Sequence, residues 1–444
     1  MNPFNALAGT DDLRPGPLDR RAVIAASVLL MVVVLFRVPP ASLTGIDAAC
    51  YANIAGDLAS RPFLTWADVR WYGDRSFFEH PPLALWLEAL WFSGFGVSAA
   101  AAVWWARVLA FTLALLVGAM GQRLVPRGGG VASVLGLLSL ASFQRESQNP
   151  MFELPLAVAC AAALLAAESL PRSARAVIAF ALCAVAAFWV KGIVALALLV
   201  ALPWALMRGA SWIRVLGALA FTSVLGVVSV LMFEWLRGRL GLPAYFPLYL
   251  QDQVLLAFTK GRHSVDPDPF FHVSTLLEWH LTALLALLVI GWRWRSSPMM
   301  RPLAALGLLW LVCVTLPFSL AAQKAPWHLN VLMPGTAWLA GAGLLCVPER
   351  FYRFVSLLCL SWGTGWGVLE VRSRLHESPR QAAIRALTEV VPPPPGLVVK
   401  NCSVISEWPA THLFKFHWKA TMVPCGGEAA WRFDGASLID ERAR

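Results

Sequence analysis

Apolar residues in this chain come in long runs, not in the alternating or three-and-four spacing of half-buried elements. A window of about 20 residues, the length a helix needs to cross a bilayer, finds them near 22–38, 101–122, 130–144, 151–168, 174–190, 192–207, 212–236, 274–292, 301–319, 327–347 and 351–369. They predict an all-α polytopic membrane protein with about eleven transmembrane helices. Ala22 to Phe36 leads into Arg37-Val38-Pro39-Pro40 with no small-residue cleavage site, so the first run reads as a retained anchor. Two long segments interrupt the runs, 39–100 and 237–273. Within the first, Leu83 to Phe92 is apolar, rich in Trp, too short to span and closed by Gly94-Phe95-Gly96, which predicts a helix lying in the membrane interface. A second short helix is expected from Tyr51 to Ala59, directly after Asp47. The organisation expected is a cytoplasmic N-terminus over 1–21, a membrane domain over 22–369 and a small extracytoplasmic region over 370–444. In that last region Pro392 to Pro395 is a stiff spacer, and Val398-Val399 and Leu413 to Trp418 read as short strands.

Composition agrees: 58% hydrophobic against 14% charged residues excludes an ordinary soluble domain. The formal charge of +10 is a topology signal. Arg20, Arg21, Arg123, Arg127, Arg172, Arg175, Arg208, Arg214, Arg293, Arg295, Arg301, Arg350 and Arg353 all fall between runs on one side, which the positive-inside rule makes cytoplasmic. Scattered singly over short loops, they make no nucleic-acid footprint. Six cysteines lie in or beside apolar runs as small hydrophobes. Cys402 and Cys425 fall in the polar tail, on the oxidising side, where a disulfide between them would close a small loop.

The unusual polar residues share the other face. Asp47, Glu79, His80, Arg145, Glu153, Lys191, Arg262, His263, Lys324 and His328 all map to outer ends of runs or to outer loops. Groups satisfied only by water or snorkelling would scatter over both interfaces; the clustering argues for an extracytoplasmic site. Plainer roles remain open for each. Asp47 also suits a helix cap, Glu79 a partner of His80 or Arg262, Lys191 a snorkelling cation, His328 a wetted interface residue, and Arg145 with Glu153 a structural ion pair. The Trp and Phe near the surface fit an interfacial belt.

Several motifs, in order over about 300 residues, resemble lipid-phosphosugar-dependent glycosyltransferases of the GT-C fold, in the branch with protein O-mannosyltransferases and the aminoarabinose transferases of lipid A. They are Asp47-Ala48-Ala49-Cys50-Tyr51-Ala52-Asn53-Ile54-Ala55, Phe78-Glu79-His80-Pro81-Pro82-Leu83, Ala106-Arg107-Val108, Arg145 with Met151-Phe152-Glu153-Leu154-Pro155-Leu156, Val190-Lys191-Gly192, Arg262-His263-Ser264 before Pro269-Phe270, and Gln323-Lys324-Ala325-Pro326 with Pro334. The chain departs from that pattern at Ala48, where relatives carry a second acid, at His80 in place of a lysine, and at Trp327 and His328 in place of tyrosines.

The resemblance implies transfer of a sugar from a polyprenyl-phosphate carrier to an extracytoplasmic lipid or glycan acceptor, lipopolysaccharide, lipid A or another envelope glycan, with inversion at the anomeric carbon. It also implies a bacterial inner-membrane location with the site facing the periplasm. Such chemistry needs a base for the acceptor hydroxyl and cations for the leaving phosphate. Asp47 is expected as base with Glu79 beside it, and His80, Lys191, Arg262 and Lys324 as phosphate partners; Glu153 and His328 are further candidates. Glu79 and His263 are similar to the pair that holds a divalent cation in the lipid A branch, zinc or magnesium, although two ligands do not make a metal site. The other readings are a non-catalytic scaffold for lipid-linked sugars, suggested by Ala48 and His80, and a lipid-linked-sugar transporter or flippase. A transporter should carry charges near the midplane and internal repeats, and neither is evident.

Overall fold

The structure, a computed structural model, describes residues 46–71, 76–259, 270–321 and 324–375, and in the tail 398–401, 421–424, 429, 431–433 and 438–440. The expected first span, Arg262, His263, Leu413 to Trp418, Cys402 and Cys425 lie outside the described residues. The outer segment opens with α1 (Ile46–Ala59) and α2 (Leu83–Phe95). Next come α3 (Ala99–Leu124), α4 (Gly129–Leu138), α5 (Ala141–Glu146), α6 (Glu153–Ala167) and α7 (Arg175–Lys191). A 3₁₀ stretch, Gly192–Val200, leads into α8 (Ala201–Met207), and α9 (Trp212–Arg239) follows. The second outer segment holds α10 (Tyr245–Tyr249), a π turn at Leu250–Leu255 and α11 (Leu256–Thr259). The chain then runs through α12 (Phe271–Trp279), α13 (Leu281–Arg293), α14 (Arg301–Leu320), a 3₁₀ turn at Pro326–Leu332, α15 (Met333–Cys346) and α16 (Glu349–Leu375).

Among the described residues, five helical segments are long and apolar enough to cross a membrane, or six if a bent pair counts as one span. The protein is an integral membrane protein. Its second long segment, Arg175–Met207, is better read as two passes. Glu153 and Glu168 mark opposite ends of α6, which at 15 residues is about 22 Å long. Lys191 pairs with Glu153, whereas Arg208 Nε bonds Glu168 Oε1 at 3.0 Å and Trp204 Nε1 bonds Glu168 Oε2 at 3.0 Å. The chain therefore travels back along α6 between 191 and 208. The reversal falls at Gly192, whose φ of +60° is open to glycine.

Other expected spans differ: the run at 151–168 is a short apolar helix of 15 residues, and the helix that holds 351–369 is not among those apolar enough to cross. The run at 130–144 becomes two short helices parted at Ser139 and Leu140. The run at 274–292 is broken at His280, where α12 and α13 bend by 87°, and His280 Nδ1 meets Thr336 Oγ1 at 3.1 Å. The last buried span starts as the 3₁₀ turn before α15. Both long helices α3 and α9 begin with a serine cap, Ser98 Oγ accepting from Ala101 N and Ser211 Oγ from Arg214 N.

At the centre lies α15, buried on nearly every side. It can approach α4 closely because Gly136 faces it; a Cβ there would stand 2.4 Å from Ala337 O. By contrast α9 shows Trp212, Ile213, Leu231 and Trp235 outward, the pattern of a lipid-facing helix. At the arginine-rich end, Arg123, Arg172, Arg208 and Arg214 converge on the stretch from Leu165 to Pro171. The opposite end, called outer here, carries α1 and α2. In the tail the described strands are β1 (Val398–Asn401), β2 (Thr421–Pro424), β3 (Trp431–Phe433) and β4 (Leu438–Asp440). They form one sheet in the order β2-β1-β3-β4, with β1 parallel to β2 and β3, and β3 antiparallel to β4.

Candidate functional site at the outer ends of the helices

Asp47 sits in the first turn of α1, where the free backbone N–H groups of a helix start favour a carboxylate. The helix begins earlier than the expected Tyr51, so the acid belongs to it. Asp47 reaches solvent on one side and is flanked by protein on the others. Burial holds its carboxyl above the ordinary value of 3.8, and the charges of Glu153 and Glu79 push the same way while Lys191 and Arg145 oppose them. Five ionisable residues from four separate motifs thus meet here, each of the other four within electrostatic reach of Asp47.

One turn along α1, Tyr51 packs edge-on against Phe152 with ring centres 4.5 Å apart. His80 lies in the same aromatic box, 4.6 Å from Phe152, 6.3 Å from Tyr51 and 6.4 Å from Phe77. Glu153 opens α6 and accepts from Lys191 Nζ at the end of α7. Both side chains are buried, 3% and 9% exposed, so the contact is a true internal ion pair. It replaces the expected pairing of Arg145 with Glu153; Arg145 instead lies 5.0 Å over the Trp279 ring. Gly192 follows at the reversal, and a Cβ there would stand 1.7 Å from Tyr249 Oη, which itself accepts from Ile193 N at 3.2 Å.

Lys324 lies within electrostatic reach of His272, and His328 within reach of Lys191 and His272. His328 stacks on Phe318 at 5.2 Å. These three residues join the Glu153 and Lys191 pair to the start of α12.

Sequence reading passed over several buried polar groups nearby. His272 Nδ1 meets Ser319 Oγ at 3.3 Å while its Nε2 is buried without a partner. Asn330 Nδ2 donates to Glu146 Oε1 at 2.8 Å, and Arg107 Nη2 to Gln148 Oε1 at 3.2 Å, all four side chains buried. The run Ser142-Phe143-Gln144-Arg145-Glu146-Ser147-Gln148-Asn149 was their signal, since so polar a stretch between apolar helices must find internal partners. Glu88, on the buried face of α2, is a lone acid whose carboxyl burial pushes well above its ordinary value of 4.5. Among the described residues no group of three or more His, Cys, Asp or Glu could hold a metal ion.

The arrangement of these helices is a GT-C fold, shared with solved structures. No family model matches the sequence, and no curated protein matches it. The fold is similar to that of ArnT from Cupriavidus metallidurans bound to undecaprenyl phosphate, with 17% identity, a TM-score of 0.69, and 91% of this chain and 86% of that one covered. The apo form of the same protein aligns with 16% identity and a TM-score of 0.69 over 92% and 86% of the two chains. The apo oligosaccharyltransferase of Archaeoglobus fulgidus aligns with 12% identity and a TM-score of 0.51 over 92% of this chain and 65% of that one. At such identities the likeness establishes the fold.

Proposed function

We propose that this protein is a membrane glycosyltransferase that takes a sugar from a polyprenyl-phosphate carrier and passes it to an extracytoplasmic acceptor, with Asp47 as the general base. The observation that carries the reading is the meeting of Asp47, Glu79, Glu153, Lys191 and Arg145 at the outer ends of the helices. The fold shared with a protein whose structure holds undecaprenyl phosphate supports a polyprenyl-phosphate donor.

In the proposed step the acceptor hydroxyl attacks the anomeric carbon as its proton passes to Asp47. The bond from that carbon to the phosphate oxygen breaks, and the electron pair leaves with the phosphate. Attack from the face opposite the leaving group inverts the anomeric centre. Lys324 and His80 are assigned to the leaving phosphate, together with Arg262. Lys191 contributes less than a free cation would, because Glu153 already shares its charge. Glu79 stays beside the base and keeps its proton affinity high. No step is assigned to a metal ion. The acceptor we favour is lipopolysaccharide, lipid A or another envelope glycan, with the protein in a bacterial inner membrane and the site facing the periplasm.

The test is mass spectrometry of envelope lipids and glycans from cells lacking the protein, complemented with wild type, Asp47→Asn or Lys324→Ala at matched membrane levels. One sugar should vanish from a defined product and return only with wild type. Full complementation by Asp47→Asn would remove the base assignment and favour a binding scaffold.

A further inference from the structure

Arg237, near the outer end of the lipid-facing helix α9, is fully buried at 0% exposure. Its Nε donates to Pro243 O at 3.0 Å and its Nη1 to Ala67 O, while Nη2 is buried without a partner. The guanidinium lies 5.3 Å from the centre of the Tyr245 ring, 5.6 Å from Phe78 and 5.8 Å from Phe233. Hiding a cation costs several kcal/mol unless neighbours compensate, and here three ring faces and two carbonyls do so. One turn earlier Glu234 accepts from Tyr245 N at 2.9 Å and from Phe246 N at 2.6 Å. The Tyr245 hydroxyl donates to His80 O. Burial keeps that phenol well above its ordinary value of 10.0, so it remains a donor at any working pH.

Two segments distant in sequence, Ala67 and the stretch from Phe78 to His80, are thereby tied to the end of α9, together with the start of α10 that follows it. We infer that Arg237, Glu234 and Tyr245 form a clasp that sets the position of the His80 imidazole in its aromatic box. They are positioning residues: they touch backbone and rings, and act on the donor only through His80. The inference rests on the reading of His80 as a contact of the donor phosphate, although the clasp itself stands on geometry alone. Its chemical logic is that His80 lies in the non-helical stretch between the bridge at Ser76 and Pro82, the residue before α2, so a bond to its carbonyl adds to what fixes that stretch.

Tyr245→Phe keeps the ring in the cage and removes only the hydroxyl. With full-length protein in lipid nanodiscs, hydrogen exchange of the peptide spanning Phe77 to His80 should quicken about three- to tenfold, the worth of one net hydrogen bond, while α3 stays unchanged. Undecaprenyl phosphate should bind about three- to tenfold more weakly, and that loss should vanish in the His80→Ala background. Exchange equal to wild type, or a binding loss of full size without the His80 side chain, overturns the clasp. If wild type itself fails to bind undecaprenyl phosphate, the donor reading falls and the exchange measurement alone decides the clasp.

Discussion

Lys191 and Glu153 sit on opposite sides of the Asp47 charge balance, so removing each should move activity in opposite directions along the pH axis. Glu153 raises the Asp47 carboxyl and Lys191 lowers it. Lys191→Met should therefore push the acid limb of the pH–activity profile upward, because the base keeps its proton to a higher pH. Glu153→Gln should pull the same limb downward. Stability gives a second axis. The two side chains are 9% and 3% exposed, so deleting either partner strands a buried charge at a cost of roughly 3–5 kcal/mol. The double variant Lys191→Met with Glu153→Leu strands nothing, and should recover to within about 1 kcal/mol of wild type, since an apolar pair of similar volume is often neutral in such a place. Sugar transfer in membranes between about pH 4 and 9 and thermal unfolding of the purified protein report the two axes, a window wide enough to contain a raised carboxylate limb. If both single variants shift the limb the same way, or if Lys191→Met unfolds like wild type, the electrostatic account of this site is wrong.

Three further outcomes follow from single residues. Asp47→Asn should lower transfer by about 10²–10⁴-fold, the usual worth of a general base. It should leave stability equal or higher near neutral pH: a carboxyl held above 3.8 in the fold binds its proton more tightly there than when unfolded, so its ionisation costs stability as pH rises from 3.8 to the raised value. Glu88 behaves likewise from its ordinary 4.5 upward, and Glu88→Gln should flatten the fall in thermal stability with rising pH; an unchanged slope would show that Glu88 is not the buried acid responsible. Gly192→Ala meets both a left-handed φ of +60° and the Tyr249 hydroxyl at 1.7 Å, so it should cost more than about 1–3 kcal/mol, with Tyr249→Phe relieving part of the loss.

The apolar runs were legible because a bilayer demands long uninterrupted ones, and α3, α9 and α14 lie where hydropathy puts them. What hydropathy could not register was direction within a run. The break at His280 and the division of α4 from α5 both leave apolar composition intact, because their backbone groups find partners inside the protein. The reversal at Gly192 was readable only as a charge beside a glycine, Lys191-Gly192. On the site, individual residues stood out because each ionisable group at an outer helix end was unusual for its surroundings. Their pairing was invisible, since Glu153 could have met Arg145 or Lys191 by sequence alone. The choice came from α6 and α7 packing side by side, which places Glu153 at the head of one helix against the tail of the other. His272 and Glu88 carried no local mark at all; burial alone makes them notable.

The same geometry bears on whether the site has decayed into a scaffold. That reading leaned on Ala48, where relatives carry an acid, and on His80, where they carry a lysine. Ala48 is 1% exposed and packs in the core, where an acid would be buried among apolar side chains. A second acid is nonetheless present, because Glu153 and Glu79 both act on Asp47 from other elements. Lys191 and Arg145 are kept as well, and their charges oppose those acids at Asp47. An abandoned site has no reason to gather three carboxylates and two cations at one rim and to bury Glu153 and Lys191 among them, since a buried charge costs free energy with no return. The proton affinity of Asp47 is thus raised by burial and by its acidic neighbours. Opposite displacements of the acid limb by Lys191→Met and Glu153→Gln are what distinguish a working site from a fossil that only binds.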